Sequence, residues 1–342
     1  MSGMIQKAEL QTSKEVEYRQ QMIDEIIDCL ERDVIPWEKC WNEKRYRPYN
    51  AATNIAYRGL NNANLSIVSM ARGYKDPRFM TFQQAKQKGY RIKQGSKCIN
   101  IAYWTYYSFE EKKSLSVSEW NRIPAEEQLK YKLIVKKSQV FNAECIDGIP
   151  PLQIEEFENK KIDCLEKAVG NIVKNIGLFK IKEGYGKAAY IPSEDSICIP
   201  DFSAFHDEKS YYSTLFHELA HATGHPQRLN RDLSGRFGSE SYAIEELRAE
   251  IASMFLAQDF SMELDRKHID NHKAYIQSWL KTIKKQPMVL FKAIKEAEGI
   301  ASYMERNAEM EKLLEYDKNK SQKKETVLEK NTEKTKNHVL NI

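Results

Sequence analysis

The chain has 342 residues, 41% of them hydrophobic and 30% charged, with a net charge of +4. That length supports two domains with cores of their own, no apolar run is long enough to span a bilayer, and residues 1–14 lack the apolar centre of a signal peptide. Six scattered cysteines (Cys29, Cys40, Cys98, Cys145, Cys164 and Cys198) show no C-x-x-C spacing, which excludes a disulfide framework and points to reduced thiols in the cytoplasm.

Residues 14–33 carry an apolar stripe of Val16, Met22, Ile23, Ile26, Ile27 and Leu30, the spacing of an amphipathic helix ended by Ile35-Pro36-Trp37. The composition then changes. Between Lys39 and Lys97 there are thirteen Lys or Arg residues and two acids, with aromatic rings interleaved. Cations neutralise phosphates and flat rings stack on unpaired bases, so this segment predicts a groove for single-stranded DNA. The leading rings are Trp41, Tyr46 and Tyr57, and the leading cations are Arg45, Arg47, Arg58, Arg78 and Lys93. The competing reading is a solvated basic face over an aromatic core. Phe79 to Lys97 reads as a helix closing near Gly89. Ile99–Phe109 and Tyr131–Phe141 read as strands, with Glu110–Lys130 a charged hairpin loop between them. Gly148, Pro150 and Pro151 mark a domain boundary.

Beyond it, a helix is expected over Glu155–Ile176, then short strands over Ala188–Ile191 and Ser196–Ile199. Tyr211–Thr223 follows as a helix containing His217-Glu218-Leu219-Ala220-His221, the pattern H-E-x-x-H. Residues four apart on a helix share a face, so His217 and His221 can aim two imidazoles at one zinc ion, with Glu218 placed to take a proton from a water there. The third ligand is sought on the buried helix Ser241–Phe260, where Glu246 and Glu250 share one edge. A carboxylate in an apolar helix needs a cation or donors. Glu246 is assigned to the metal and Glu250 to a ligand histidine, the reverse being the alternative. Glu245 is expected to point elsewhere and pair with Arg248. His225 falls past Gly224, and Gln227 stands where a longer metal pattern would need histidine; His225 is therefore placed around the metal or on the surface, third ligand being the lesser alternative, and Tyr242 is also placed around the metal. His268–Lys285 and Pro287–Met304 read as two more helices, and from about Arg306 the chain is a charged tail.

Several stretches together resemble the ArdC-type antirestriction proteins of plasmids, phages and other mobile elements. They are Tyr57-Arg58-Gly59-Leu60-Asn61, Pro77 through Phe82-Gln83-Gln84-Ala85, Val140-Phe141-Asn142, His217 through His225, and Tyr242-Ala243-Ile244-Glu245-Glu246-Leu247. The resemblance runs from about Glu15 to Met304 and departs at Glu110–Lys130. It implies an α+β fold in two domains: a single-stranded-DNA-binding α+β domain over 1–148 (core 15–147), and a zincin-like metallopeptidase α+β domain over 149–305. A charged tail follows over 306–342. It further implies a cytoplasmic protein that protects incoming DNA from restriction. Two rivals stand beside it: a DNA-coating protein whose zinc is structural, and a cytosolic metalloprotease acting on a regulatory protein.

Overall fold

The structure, a computed structural model, describes residues 20, 22–24, 26–32, 47–152, 163–178, 180–236, 238–260, 272–310 and 312–313. The chain divides into two compact units, residues 1–152 with 270–295, and residues 153–269 with 296–342. The sequence reading put 270–295 in the second domain, 149–305; in this division it falls with the first unit. The two units are α+β, as the fold class predicted. Most of the expected tail lies outside the described residues, as does the first part of the helix expected over Glu155–Ile176.

In the first unit the chain runs β1 (Tyr49–Asn50), α1 (Gly59–Ala71), β2 (Arg78–Thr81), α2 (Phe82–Gln87), β3 (Arg91–Ile92), β4 (Ile99–Ser108) and β5 (Lys113–Leu115). Two short helices, α3 (Val117–Trp120) and α4 (Ala125–Gln128), lead to β6 (Lys132–Asn142) and β7 (Ile146–Asp147). Five strands form one sheet in the order β1-β2-β6-β4-β5, parallel between β1 and β2 and antiparallel elsewhere. Side chains alternate across a strand, and β2 is buried on both faces. Phe79 joins Leu65, Val68, Ile99, Ile101 and Val140 in one cluster, while Met80 meets Ala85 and Ile146 in another.

Two expectations needed correction here, and one helix was not foreseen. Phe79–Thr81 is strand, and the helix starts only at Phe82. Its start is fixed by a capping box: the Gln84 N–H donates to Thr81 Oγ1 at 3.2 Å and the Thr81 N–H to Gln84 Oε1 at 2.9 Å. Helix α1 was not foreseen, because its Asn61-Asn62-Ala63-Asn64 run disfavours helix by propensity. Those asparagines serve the open edge of β4 instead. Asn61 brackets Ala102, its Nδ2 donating to the Ala102 carbonyl at 2.6 Å and its Oδ1 accepting from the Ala102 N–H at 3.0 Å. Asn64 donates to the Asn100 carbonyl at 2.9 Å, so backbone groups with no strand partner are satisfied. Finally, Glu110–Lys130 is more than a hairpin loop. It holds β5, α3 and α4, and Trp120 stacks on Tyr106 with centroids 4.0 Å apart.

The second unit contains α5 (Asp163–Ile176), β8 (Lys180–Lys182), β9 (Ala189–Ile191), β10 (Ser196–Cys198), α6 (Glu208–Ala222) and α7 (Glu240–Asp259). Helix α8 (His272–Lys285) follows in the first unit, and α9 (Met288–Asn307) crosses the division. The small sheet runs β8-β10-β9, with β10 buried between a parallel and an antiparallel neighbour. Helix α6 packs against α7 on one side and β9 and β10 on the other. Asp207 caps its first turn by accepting the Ser210 N–H at 2.7 Å. Among the described residues Cys98, Cys145 and Cys198 are in no disulfide, and no helix is long and apolar enough to cross a membrane.

Candidate functional site

Leu215, Phe216, Leu219 and Ala220 bury one side of α6, which turns His217 and His221 together toward α7. Their Nε2 atoms lie 3.1 Å apart, with the rings 83° from coplanar. Glu246 reaches across from α7. Its carboxylate oxygens stand 3.6 Å from His217 Nε2 and 3.5 Å from His221 Nε2. One donor atom from each of the three lies within 4.8 Å of the others, and among the described residues this is the one such group. Two imidazole nitrogens and a buried carboxylate oxygen converging on one point form a donor set suited to a borderline divalent cation. The residues therefore fit a metal ion. The assignment places Glu246 in the cluster and Glu250 outside it: Glu250 Oε1 lies 3.5 Å from His217 Nδ1, behind the ring. The Tyr242 hydroxyl hydrogen-bonds to Glu246. His225 sits beyond the helix and accepts the Gln227 N–H at Nδ1, 3.3 Å away.

Glu245 does more than sequence reasoning expected. It does pair with Arg248, at 3.2 Å. Its Oε1 also lies 3.4 Å from His221 Nδ1, and Arg231 forks onto both of its oxygens at 2.7 and 3.2 Å. Each metal-facing histidine thus has its own carboxylate behind it, an arrangement that fixes tautomer and ring orientation. Arg231 additionally donates to the Ala220 carbonyl and to Thr223 Oγ1, folding the chain back over the end of α6. Gly224 is required there for space. A Cβ at that position would stand 2.8 Å from Leu233 Cδ2 and 3.1 Å from Arg231 Nη2. The only sequence signal for this contact was the position of Glu245 beside Glu246.

Glu218 is 7% exposed, and its Oε2 accepts the backbone N–H of Tyr190 on β9 at 2.7 Å. A second arginine holds that strand. The Tyr190 hydroxyl donates to Asp195 Oδ1 at 2.8 Å, and Arg228 forks onto Asp195 at 2.8 and 2.6 Å. Asp195 has a φ of +45° in the turn between β9 and β10, so the fork anchors a tight, left-handed turn.

The electrostatics follow from this crowding. Burial works against a charged His221, but Glu246 and then Glu245 outweigh it and raise its pKa to about 9. Glu245 is lowered to about 2, burial being overcome by His221 and Arg231, and Glu246 to about 2, burial being overcome chiefly by His221. At pH 7 the metal-free site therefore carries a proton on His221 that a cation at Nε2 must displace. Metal binding at pH 7 is expected to release about one proton, and apparent affinity should rise from pH 7 to 9 before levelling. Calorimetry in buffers of different ionisation enthalpy checks this; a heat independent of buffer at pH 7 contradicts it.

The predicted DNA-contacting residues are less uniformly placed. Trp41, Arg45 and Tyr46 lie outside the described residues. Arg47 is buried, at 6% exposure. Tyr57 is half-buried against the α1 cluster, and its hydroxyl accepts from Asn50 Nδ2 at 3.3 Å. Arg58 is exposed at the start of α1. Arg78 donates to both oxygens of Asp76 and to the Pro150 carbonyl, and Lys93 to the Glu144 carbonyl at 2.7 Å.

Residues 16–141 match the family described as the N-terminal domain of anti-restriction factor ArdC, and residues 167–296 match one described as zincin-like metallopeptidase. The chain is 36% identical over 296 residues to a DNA primase TraC of Escherichia coli, a match covering 84% of this chain. It spans 27% of that protein and 20% of a second DNA primase TraC from the same organism. An uncharacterized protein of Sinorhizobium fredii, y4eC, is 31% identical over 258 residues, covering 75% of this chain and 80% of that one. The crystal structures of the antirestriction ArdC protein from the R388 plasmid superpose with a TM-score of 0.63, over 85% of this chain and 97% of theirs. The metal-free form is 28% identical and the Mn(II)-bound form 29%. A zincin-like domain implies a metal, and His217, His221 and Glu246 are the described residues whose donor atoms could hold one. With an ArdC N-terminal domain followed by a zincin-like domain, the chain belongs to the ArdC-type antirestriction family.

Proposed function

We propose that this protein is carried by a mobile element, acts in the cytoplasm, binds single-stranded DNA through its N-terminal unit, and protects incoming DNA from restriction with a zinc-dependent peptidase centre in its second unit. The observation that carries the reading is Glu218, held by Tyr190 beside a two-histidine, one-glutamate donor set. His217, His221 and Glu246 would hold the ion; two imidazoles and a carboxylate favour zinc, and the related protein's Mn(II)-bound form supports a divalent cation. When bound, such an ion acidifies a water and polarises a carbonyl. Glu218 takes the proton from the attacking water and returns it to the leaving amine. Glu250 and Glu245 keep the two rings facing the site, and Tyr242 orients Glu246. A protein is the expected substrate.

The DNA half of the reading is tested by comparing single and double strands of one sequence across a salt series. Single strands are expected to bind more tightly, with affinity falling as salt rises. Equal affinity for duplex would reduce the N-terminal unit to a non-specific basic surface.

A further inference from the structure

We propose that the single strand lies across the β4–β6 face of the five-stranded sheet, with Tyr103 and Tyr107 as stacking rings and Lys132 and Lys136 as phosphate partners. The proposal rests on the single-strand reading above and gives it a location different from the segment that composition suggested.

Residues 99, 101, 103, 105 and 107 of β4 point to one side of the sheet. Helix α1 covers the first part of that side through Leu65 and Val68, which buries Ile99 and Ile101. The cover is uneven further along: Thr105 on the same side is buried and Tyr107 half-buried. Tyr103 there is 47% exposed, against 7% for Ile101. The strand register sets Lys136 opposite Tyr103 and Lys132 opposite Tyr107, so the cations share a face with the rings. Lys136 Nζ lies 5.4 Å from the Tyr107 centroid and 2.5 Å from Ser114 Oγ. Phe109, 51% exposed, meets Tyr107 edge-on at 5.0 Å. Of the acids that follow Phe109, Glu110 is exposed and Glu111 is engaged by Lys130 and the Tyr131 hydroxyl. An exposed ring at Tyr103, a half-buried one at Tyr107 and a lysine opposite each match the stacking platform and cation track of single-strand binders. They do not match a surface for a second protein copy, because the centres of protein interfaces are depleted of lysine. Arg78 of the earlier segment donates to a carboxylate, Asp76, and Lys93 to the Glu144 carbonyl.

The test uses the full chain and a fluorescein-labelled oligothymidylate longer than ~16 nucleotides, read by anisotropy across a salt series. Tyr103→Ala and Tyr107→Ala are each expected to weaken binding about tenfold while leaving the salt slope unchanged. Tyr103→Phe, which keeps the ring, should bind as the parent does. Lys132→Ala with Lys136→Ala should flatten the slope of log affinity against log salt by about 1.4. Since Tyr103 is exposed, its alanine variant should keep the parent melting temperature, which separates contact from misfolding. Photocrosslinking to an iodouracil-substituted strand should label a peptide from 99–109. If the parent binds single strands, yet the variants match it and the crosslink maps to 39–97, the face is wrong and the single-strand reading stands. If the parent does not bind, both fall. A change in oligomeric state with no change in strand affinity would make the face a self-interface and overturn the proposal.

Discussion

Replacing His217 and His221 together by alanine is expected to take bound metal from about one ion per chain to none, because a catalytic zinc site is built on three protein ligands and this variant keeps one. The effect reaches beyond the ion. Glu246, Glu245 and Glu250 are buried and each faces an imidazole at 3.4 to 3.6 Å. Removing a partner from a buried charge pair costs roughly 3–5 kcal/mol; Glu245 retains Arg231 and Arg248, so the loss falls on Glu246. The second unit should therefore melt earlier as well as lose its ion. Single substitutions resolve the roles. Glu246→Gln should cost far more affinity than Glu250→Gln or Glu245→Gln, each of which should cost about 10–100-fold through ring orientation alone. Metal content by mass spectrometry and competition with a chelating dye measure both. Full metal retention in the double histidine variant would rule out the cluster, and a larger loss for Glu250 than for Glu246 would exchange their assignments.

A fragment ending at residue 152 is expected to be much less stable than the same segment in the whole chain. Composition alone suggested that residues 1–148 would stand by themselves. The structure places 270–295 in the same unit, and Lys284 there pairs with Glu31. That stretch buries Ile276, Trp279, Ile283, Leu290 and Phe291. Side chains of this size contribute ~1.5–3 kcal/mol each when fully buried, against a net stability of ~5–15 kcal/mol for a domain. Even partial loss of their cover is comparable with the whole margin. Residues 1–152 should melt at lower temperature and aggregate, and joining 270–295 through a flexible linker should restore a cooperative transition. A stable, monomeric 1–152 with the parent transition would show that this stretch is dispensable.

The features most legible in the sequence were those that are local. H-E-x-x-H needs only the four-residue repeat of a helix, and Glu246 stood out because an apolar helix around it left the charge unexplained. Glu245 was harder to read. Its link to His221 spans 24 residues and depends on Arg231 returning over Gly224, a path fixed by three-dimensional space. Helix α1 was hidden because its asparagines oppose helix locally and are repaid only by the distant edge of β4. The start of α2, in contrast, was written in Thr81-Phe82-Gln83-Gln84 and was misplaced because the apolar Phe79 and Met80 were read with the helix. Counting cations in Lys39–Lys97 gave a charge without a direction. Arg47 turns inward and Arg78 closes on Asp76 two residues away; Phe82 is exposed within the segment, and Tyr103 further along, on β4.

The most direct test of the account is Glu218→Gln in a cell that restricts unmodified incoming DNA. The amide oxygen can still accept the Tyr190 N–H, and His217, His221 and Glu246 are untouched, so metal content and single-strand affinity should match the parent. A glutamine cannot take up the proton. The account predicts that protection is lost while metal and DNA binding remain; full protection by this variant with its metal in place would contradict it.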